Sequence, residues 1–393
     1  MAASRHLSLE RRELPLDPPH SNAGAEWTER SILLLRVRDA HGLDGYGEAS
    51  PLPGYSPDTA DACERALRAI SDAALAALEE LTAPRDLTLA VAALVPARLP
   101  AVRFGLEAAL LDRLSRRTQR PLWSLLGDLV GESRSPRRIS THGAEVPSAE
   151  LPICPDFGHE ELASAPVPSE CAAVELCALL PTGDPERALR EAREHLCLGV
   201  RTFKLKVGPG RLLESQRVTL ETLRGTLGDS VRLRLDANRS LSRDALGATL
   251  AALASYEIEF LEEPLLEPQP AEFSASPCAL ALDESLQTLD DANLALFLGL
   301  PTCRALVLKP TALGGFQRCI DLAGTAREHG REVVVSHTLE GPIGWSACAE
   351  LALALAPGYA AGLWPLVHQR AAQPPICAGR LQRGEVPSPG HRA

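Results

Sequence analysis

The feature that most constrains this chain is a regular alternation beginning near Cys171. Short apolar runs suited to buried strands, "AAVELCALL", "RTFKLKVG", "VRLRLDAN", "IEFLEEPL", "CALALDES", "RALVLKP", "REVVVSH" and "AAGLWPL", are separated by stretches of amphipathic helical period. Eight strand candidates with helices between them describe a closed parallel barrel. A doubly wound open sheet is the competing architecture, but it would carry a glycine-rich phosphate loop after its first strand, and the sequence has none. The first hundred-odd residues have another grammar. "RSILLLRVRDAHGLDGYGEAS" reads as an antiparallel hairpin, and helical stretches near 57–81 and 101–114 follow, so this part is an α+β module.

Five of the barrel runs end on an ionisable residue: Lys206 on the second, Asp236 on the third, Glu262 on the fourth, Asp283 on the fifth and Lys309 on the sixth. The spacing is about one βα unit each time, and a parallel barrel opens all its strand C-termini at one mouth, so these residues converge there. Taken singly each has an ordinary reading: Asp236 and Asp283 as helix N-caps, Glu262 as a surface acid before a proline, Lys309 as a solvated cation. Five in succession are better explained as a site.

Three converging carboxylates raise one another's pKa unless a cation lies among them. All-oxygen ligation without His or Cys points to a hard divalent ion, Mg²⁺, with Mn²⁺ as a workable substitute. Such an ion beside a substrate carboxylate favours loss of the proton on the adjacent carbon. Lys204 and Lys206 fall on one face of the second strand. An isolated Lys-x-Lys fits an exposed edge strand equally well. At the barrel mouth, however, Lys206 becomes the candidate base, with Lys204 lowering its pKa and helping to hold the substrate carboxylate.

These residues resemble the enolase superfamily, muconate-lactonizing subgroup, over nearly the whole chain. The resemblance implies an α/β fold, a modified TIM barrel of the (β/α)7β type with an N-terminal α+β capping domain. Residues 1–130 would form the cap, 131–170 a connecting insertion, 171–370 the barrel, and 371–393 a tail returning to the cap. Three stretches, "GYGEASPLPGYS", "LRLDANRSLS" and "LALDESL", are most similar to the o-succinylbenzoate synthase family, hydro-lyases of menaquinone biosynthesis. What the resemblance implies is that Asp236, Glu262 and Asp283 hold Mg²⁺, Lys206 removes the α-proton, and Lys309 stays charged to stabilise the enediolate. Glu284 would orient Lys309, and Asn238 would face the site. "SHTLEGPIG", with Ser336 and Gly341, stands where the family has a serine-rich motif, and its helix start suits a carboxylate. His337 within it reads better as a structural histidine than as a catalyst. "PPHSNAGAEWTER" corresponds to the family's mobile lid. The same two lysines would also serve an N-succinylamino acid racemase or another epimerase or cycloisomerase, and a non-catalytic binding barrel is the reading from another class.

The formal charge of −11 argues against nucleic-acid or anionic-membrane partners. The resemblance implies a small-molecule carboxylate substrate, with the oligomeric state open. No window approaches the length of a membrane-spanning helix, and the N-terminus turns charged before an apolar segment can form, so a cytoplasmic location is expected. The ten cysteines show no CxxC pair, and Cys177, Cys197, Cys319 and Cys348 read as reduced core thiols.

Overall fold

The computed structural model describes residues 6–21, 25–132, 173–366, 369 and 376–382. The expected insertion falls almost entirely outside these residues, as does most of the tail.

An antiparallel sheet opens the chain: β1 (Leu7–Ser21), β2 (Glu26–Arg38) and β3 (Asp44–Ala49), paired in that order. Alternation along β2 buries Ile32, Leu33, Leu35 and Val37. Helices Ala60–Ala69, Asp72–Glu79, Pro84–Leu94, Pro100–Thr118 and Leu122–Glu132 complete the cap. The glycines of "GYGEAS" have a packing reason, since a Cβ on Gly47 would lie 2.0 Å from the Gly105 carbonyl oxygen of helix Pro100–Thr118. Only glycine lets β3 lie directly on that helix.

The barrel follows as β4 (Val174–Glu175), β5 (Cys177–Leu180), β6 (Thr202–Lys206), β7 (Arg232–Asp236), β8 (Phe260–Glu262), β9 (Leu280–Leu282), β10 (Cys303–Leu308) and β11 (Glu332–Val335). Strands β5 to β11 form one sheet in sequence order, and every pair in it is parallel. The expected eighth strand shrinks to two bridging residues: Ala361 pairs with Leu176 and Gly362 with Ser336. Those bridges close the cylinder, with Cys177 N–H donating to the Ala361 carbonyl at 2.8 Å and Gly362 N–H to that of Val335 at 2.9 Å. Phe260, Ala281, Ala305, Val307 and Val334 pack as one buried apolar cluster from β8 to β11. Two short strands, β12 (Ile376–Cys377) and β13 (Arg380–Leu381), pair with β4. The described part of the tail therefore lies at the start of the barrel rather than on the cap. Cys177, Cys319 and Cys348 are buried free thiols. Cys197 departs from the expectation: it sits exposed at a helix end and is disulfide-bonded.

Cap and barrel are joined by buried carboxylates placed at helix N-termini, where backbone N–H groups lack helical partners. Glu48 of β3 accepts from Gly341 N–H at 2.6 Å and Gly344 N–H at 3.0 Å, at the start of helix Pro342–Leu355. Glu107 accepts from Phe316 N–H at 2.6 Å, at the start of helix Phe316–Glu328, and burial pushes its carboxyl up to about 8. In the other direction Glu350 of the barrel accepts from Trp123 N–H at 2.7 Å. Arg30 lies fully buried beside Glu48 and donates to the carbonyls of Ser50 and Thr338, tying β2 to the loop after β11. Glu48→Ala would leave two backbone donors and the Ser50 hydroxyl without their acceptor. It is expected to cost about 3 kcal/mol in chemical denaturation, and Glu48→Gln, which keeps an acceptor, clearly less.

Candidate active site

The register of the barrel sheet places the first group of ionisable residues. Lys206 pairs with Asp236 across β6 and β7, and Asp236 with Glu262 across β7 and β8, so these three stand at one level on three neighbouring strands. Asp283 follows β9 directly, and Lys309 follows β10. Asp236, Glu262 and Asp283 are each 2% exposed and Lys309 is 8% exposed, so charge is concentrated where water is scarce.

The ammonium of Lys204 lies 2.8 Å from Asp236 Oδ2 and 3.2 Å from Glu262 Oε1, bridging the two acids. Burial alone would lower Lys204, but Asp236 and Glu262 together outweigh it and hold the group above the ordinary lysine range. Lys309 is treated alike: burial opposes its charge, while Asp283, Glu284, Glu262 and Asp236 raise it, and it donates to Asp283. Lys206 shows the opposite outcome. Burial pushes its amine down to about 8, Asp236 pulls it back, and the ammonium groups of Lys204 and Lys309 add to the fall. One chain thus holds a lysine poised to be neutral and another held as a cation, set by their neighbours rather than by residue type.

The acids respond in kind. Burial and the charges of Asp236 and Asp283 push Glu262 up to about 8, and burial and Asp283 push Glu284 to about 9. Among the described residues no three acidic, histidine or cysteine side chains are drawn together closely enough to ligate one ion as they stand. Lys204 lies between two of the acids, and Lys309 engages the third. The donor set nevertheless fits a hard divalent ion: it is all oxygen, buried, and carries more negative charge than Glu262 can sustain at neutral pH.

The remaining expected residues are placed as follows. Asn238 donates its backbone N–H to Asp236 Oδ1 at 3.0 Å, and its side chain reaches Glu284 at 3.4 Å. Glu284 contacts Asn238 and raises Lys309 through its charge, while the groups hydrogen-bonded to the Lys309 ammonium are Asp283 and Tyr55. Ser336 donates its hydroxyl to the Gly362 carbonyl at 3.1 Å, on the barrel seam. The Gly341 N–H is taken by Glu48, so the helix start expected to receive a substrate carboxylate is already filled by one from the cap. His337 Nδ1 accepts from Leu339 N–H at 3.0 Å, as a structural histidine would. Trp27, from the lid stretch, packs with Leu16, Leu52 and Leu339.

Several residues of the site lacked a sequence signal of their own. Glu263, next to Glu262, is fully buried and accepts from Asp283 N–H at 2.8 Å and Ser285 N–H at 3.2 Å, fixing the backbone that carries Asp283. Glu340 accepts from Thr311 Oγ1 at 2.6 Å and Thr338 N–H at 2.7 Å, shaping the loop after β11. Tyr55 reaches in from the cap. One composition signal does mark the centre: of 40 basic residues only three are lysine, and they are Lys204, Lys206 and Lys309. Every other basic residue is arginine, whose guanidinium does not deprotonate in proteins.

A capped parallel barrel thus gathers at its mouth three buried carboxylates and two oppositely tuned lysines. Residues 6–127 match the family model for the mandelate racemase / muconate lactonizing enzyme N-terminal domain, and residues 187–387 match the enolase C-terminal domain-like model. The chain belongs to the enolase superfamily, in its muconate-lactonizing subgroup. It is 30% identical to an o-succinylbenzoate synthase from Thermosynechococcus vestitus over 89% of each chain. It is 28% identical to an L-Lys-D/L-Arg epimerase from Methylococcus capsulatus, over 88% of this chain and 86% of that one. Among solved structures, the dipeptide epimerase from Methylococcus capsulatus complexed with Mg and the dipeptide L-Arg-D-Lys superposes with a TM-score of 0.72 at 24% identity, over 97% of both chains. No helix among the described residues is long and apolar enough to cross a membrane.

Proposed function

We infer that the chain is an o-succinylbenzoate synthase, a Mg²⁺-dependent hydro-lyase that converts 2-succinyl-6-hydroxy-2,4-cyclohexadiene-1-carboxylate to 2-succinylbenzoate in menaquinone biosynthesis, in the cytoplasm. Proton chemistry next to a carboxylate is carried by the pair of oppositely tuned lysines beside the three acids, Lys206 lowered to about 8 and Lys309 held as a cation, and the synthase relatives favour dehydration as its outcome. Asp236, Glu262 and Asp283 would hold the ion, whose bound charge favours the carboxylate substrate in its deprotonated form. Neutral Lys206 takes the proton from the carbon bearing the carboxylate, and the electron pair moves into that carboxylate as an enediolate. Lys309 stabilises the new negative charge. The pair then returns to the ring, the neighbouring C–O bond breaks, and Lys206 gives its proton to the departing hydroxyl. Water leaves from the face on which the proton was taken, and the ring becomes aromatic.

A second reading is supported by the epimerase relatives: Lys206 and Lys309 exchanging an α-proton of an N-succinylamino acid. Support for dehydration comes from the synthase relatives and from the closing segment Ala361-Gly362-Leu363, which carries no acid for a cationic dipeptide. Purified protein with Mg²⁺ is expected to consume the cyclohexadiene substrate, followed by loss of its ultraviolet absorbance. Deuterium exchange into N-succinyl amino acids with no such consumption would replace the synthase assignment by the racemase one.

A further inference from the structure

Among the described residues, Tyr55 is a cap residue whose polar atom enters the lysine–carboxylate cluster. It lies on the turn after β3, and three contacts join it to one side of the site. Lys309 donates to its phenolic oxygen at 2.9 Å. That hydroxyl donates its own hydrogen bond to Asp283 Oδ1, also at 2.9 Å. The Lys309 ammonium lies 4.7 Å from the Tyr55 ring centroid, at the hydroxyl end of the ring. A phenylalanine would keep the last contact and lose the other two.

The turn is itself held. Tyr55 N–H donates to the Leu52 carbonyl at 3.0 Å, and Trp27 Nε1–H to that of Pro53 at 3.0 Å. Leu52 packs with Trp27 and with Leu339 from the loop after β11, and Tyr55 lies against that cluster. The phenol is therefore delivered by the docked cap, and its position reports how the cap sits on the barrel.

We propose that Tyr55 is a positioning residue for the reaction, holding the Lys309 ammonium in place through its hydroxyl and ring, so that docking of the cap completes the electrostatic half of the site. The proposal rests on the reading of Lys309 as the cation that stabilises the enediolate. A lysine has four rotatable side-chain bonds, and an ammonium anchored only to Asp283 would swing about that carboxylate. Anchors on the phenol oxygen and ring restrict it to one direction.

With three lysines in the chain, protein carrying ¹⁵N at the lysine side-chain nitrogen gives three signals, assignable from single Lys→Arg variants. In metal-free Tyr55→Phe the Lys309 signal is expected to move while that of Lys206 stays, with an unchanged thermal midpoint showing that the fold is intact. In the steady state, Tyr55→Phe is expected to lower kcat about tenfold, as for loss of a hydrogen bond to a charged group, with KM within about threefold. Tyr55→Leu, which also removes the ring, is expected to lower it further. An unmoved Lys309 signal in the folded variant, or a raised KM at unchanged kcat, would overturn the proposal, the latter showing that Tyr55 only lines the pocket. Wild-type protein inactive on both candidate substrates would instead sink the functional reading, and the spectral result would still decide the placement of Lys309.

Discussion

Lys206→Ala is expected to lower turnover by roughly 10²- to 10⁴-fold, the range for loss of a positioned general base. Lys206→Arg should do the same, because a guanidinium cannot give up its proton near neutral pH and so cannot accept one from substrate. The wild-type pH profile supplies the matching sign. A base must be neutral, Lys206 is protonated below its pKa, and that pKa is lowered to about 8. Accordingly kcat/KM should rise with pH and level off near or below 8, a bound divalent ion adding positive charge that moves the limb further down. Lys206→Ala with unchanged turnover, or a rate that falls as pH rises through this window, would remove Lys206 from the mechanism.

Excess chelator is expected to abolish turnover, and Mg²⁺ to restore it. Without an ion the acids are neutralised internally, Asp236 and Glu262 by Lys204 and Asp283 by Lys309. Burial and the charges of Asp236 and Asp283 drive Glu262 up to about 8. A divalent cation among the acids would add countercharge and bring it down again. Asp236→Asn should correspondingly lose Mg²⁺ binding by calorimetry, a readout independent of turnover. Full activity in excess chelator, or undiminished binding by Asp236→Asn, would refute the assignment of the acids as ligands.

Much of this was legible along the chain because both signals it rests on are local. Alternation of apolar runs and amphipathic helices defines a parallel barrel, and in that barrel the last residue of each strand reaches the mouth. Lys206, Asp236, Glu262, Asp283 and Lys309 could be named for that reason. Glu48, Glu107, Glu263 and Tyr55 could not. Glu48 and Tyr55 fall inside the stretch "GYGEASPLPGYS" and Glu263 adjoins Glu262, but nothing local names their roles, because each partner lies far away in sequence, as Gly341 does from Glu48 or Lys309 from Tyr55. The helix start at Gly341 illustrates the limit: its exposed N–H groups invited an anion, but the cap already supplies one.

Sequence alone determined the barrel, the set of ionisable groups at its mouth, and the confinement of lysine to that mouth, since periodicity and residue choice are properties of neighbours on the chain. The tertiary structure decided which lysine is lowered and which is held charged, because that depends on burial and on the distance to carboxylates borne by other strands. It also decided that the cap contributes Tyr55 to the site and Glu48 to the barrel helix, because only the packing of the cap against the barrel brings those groups within hydrogen-bond reach.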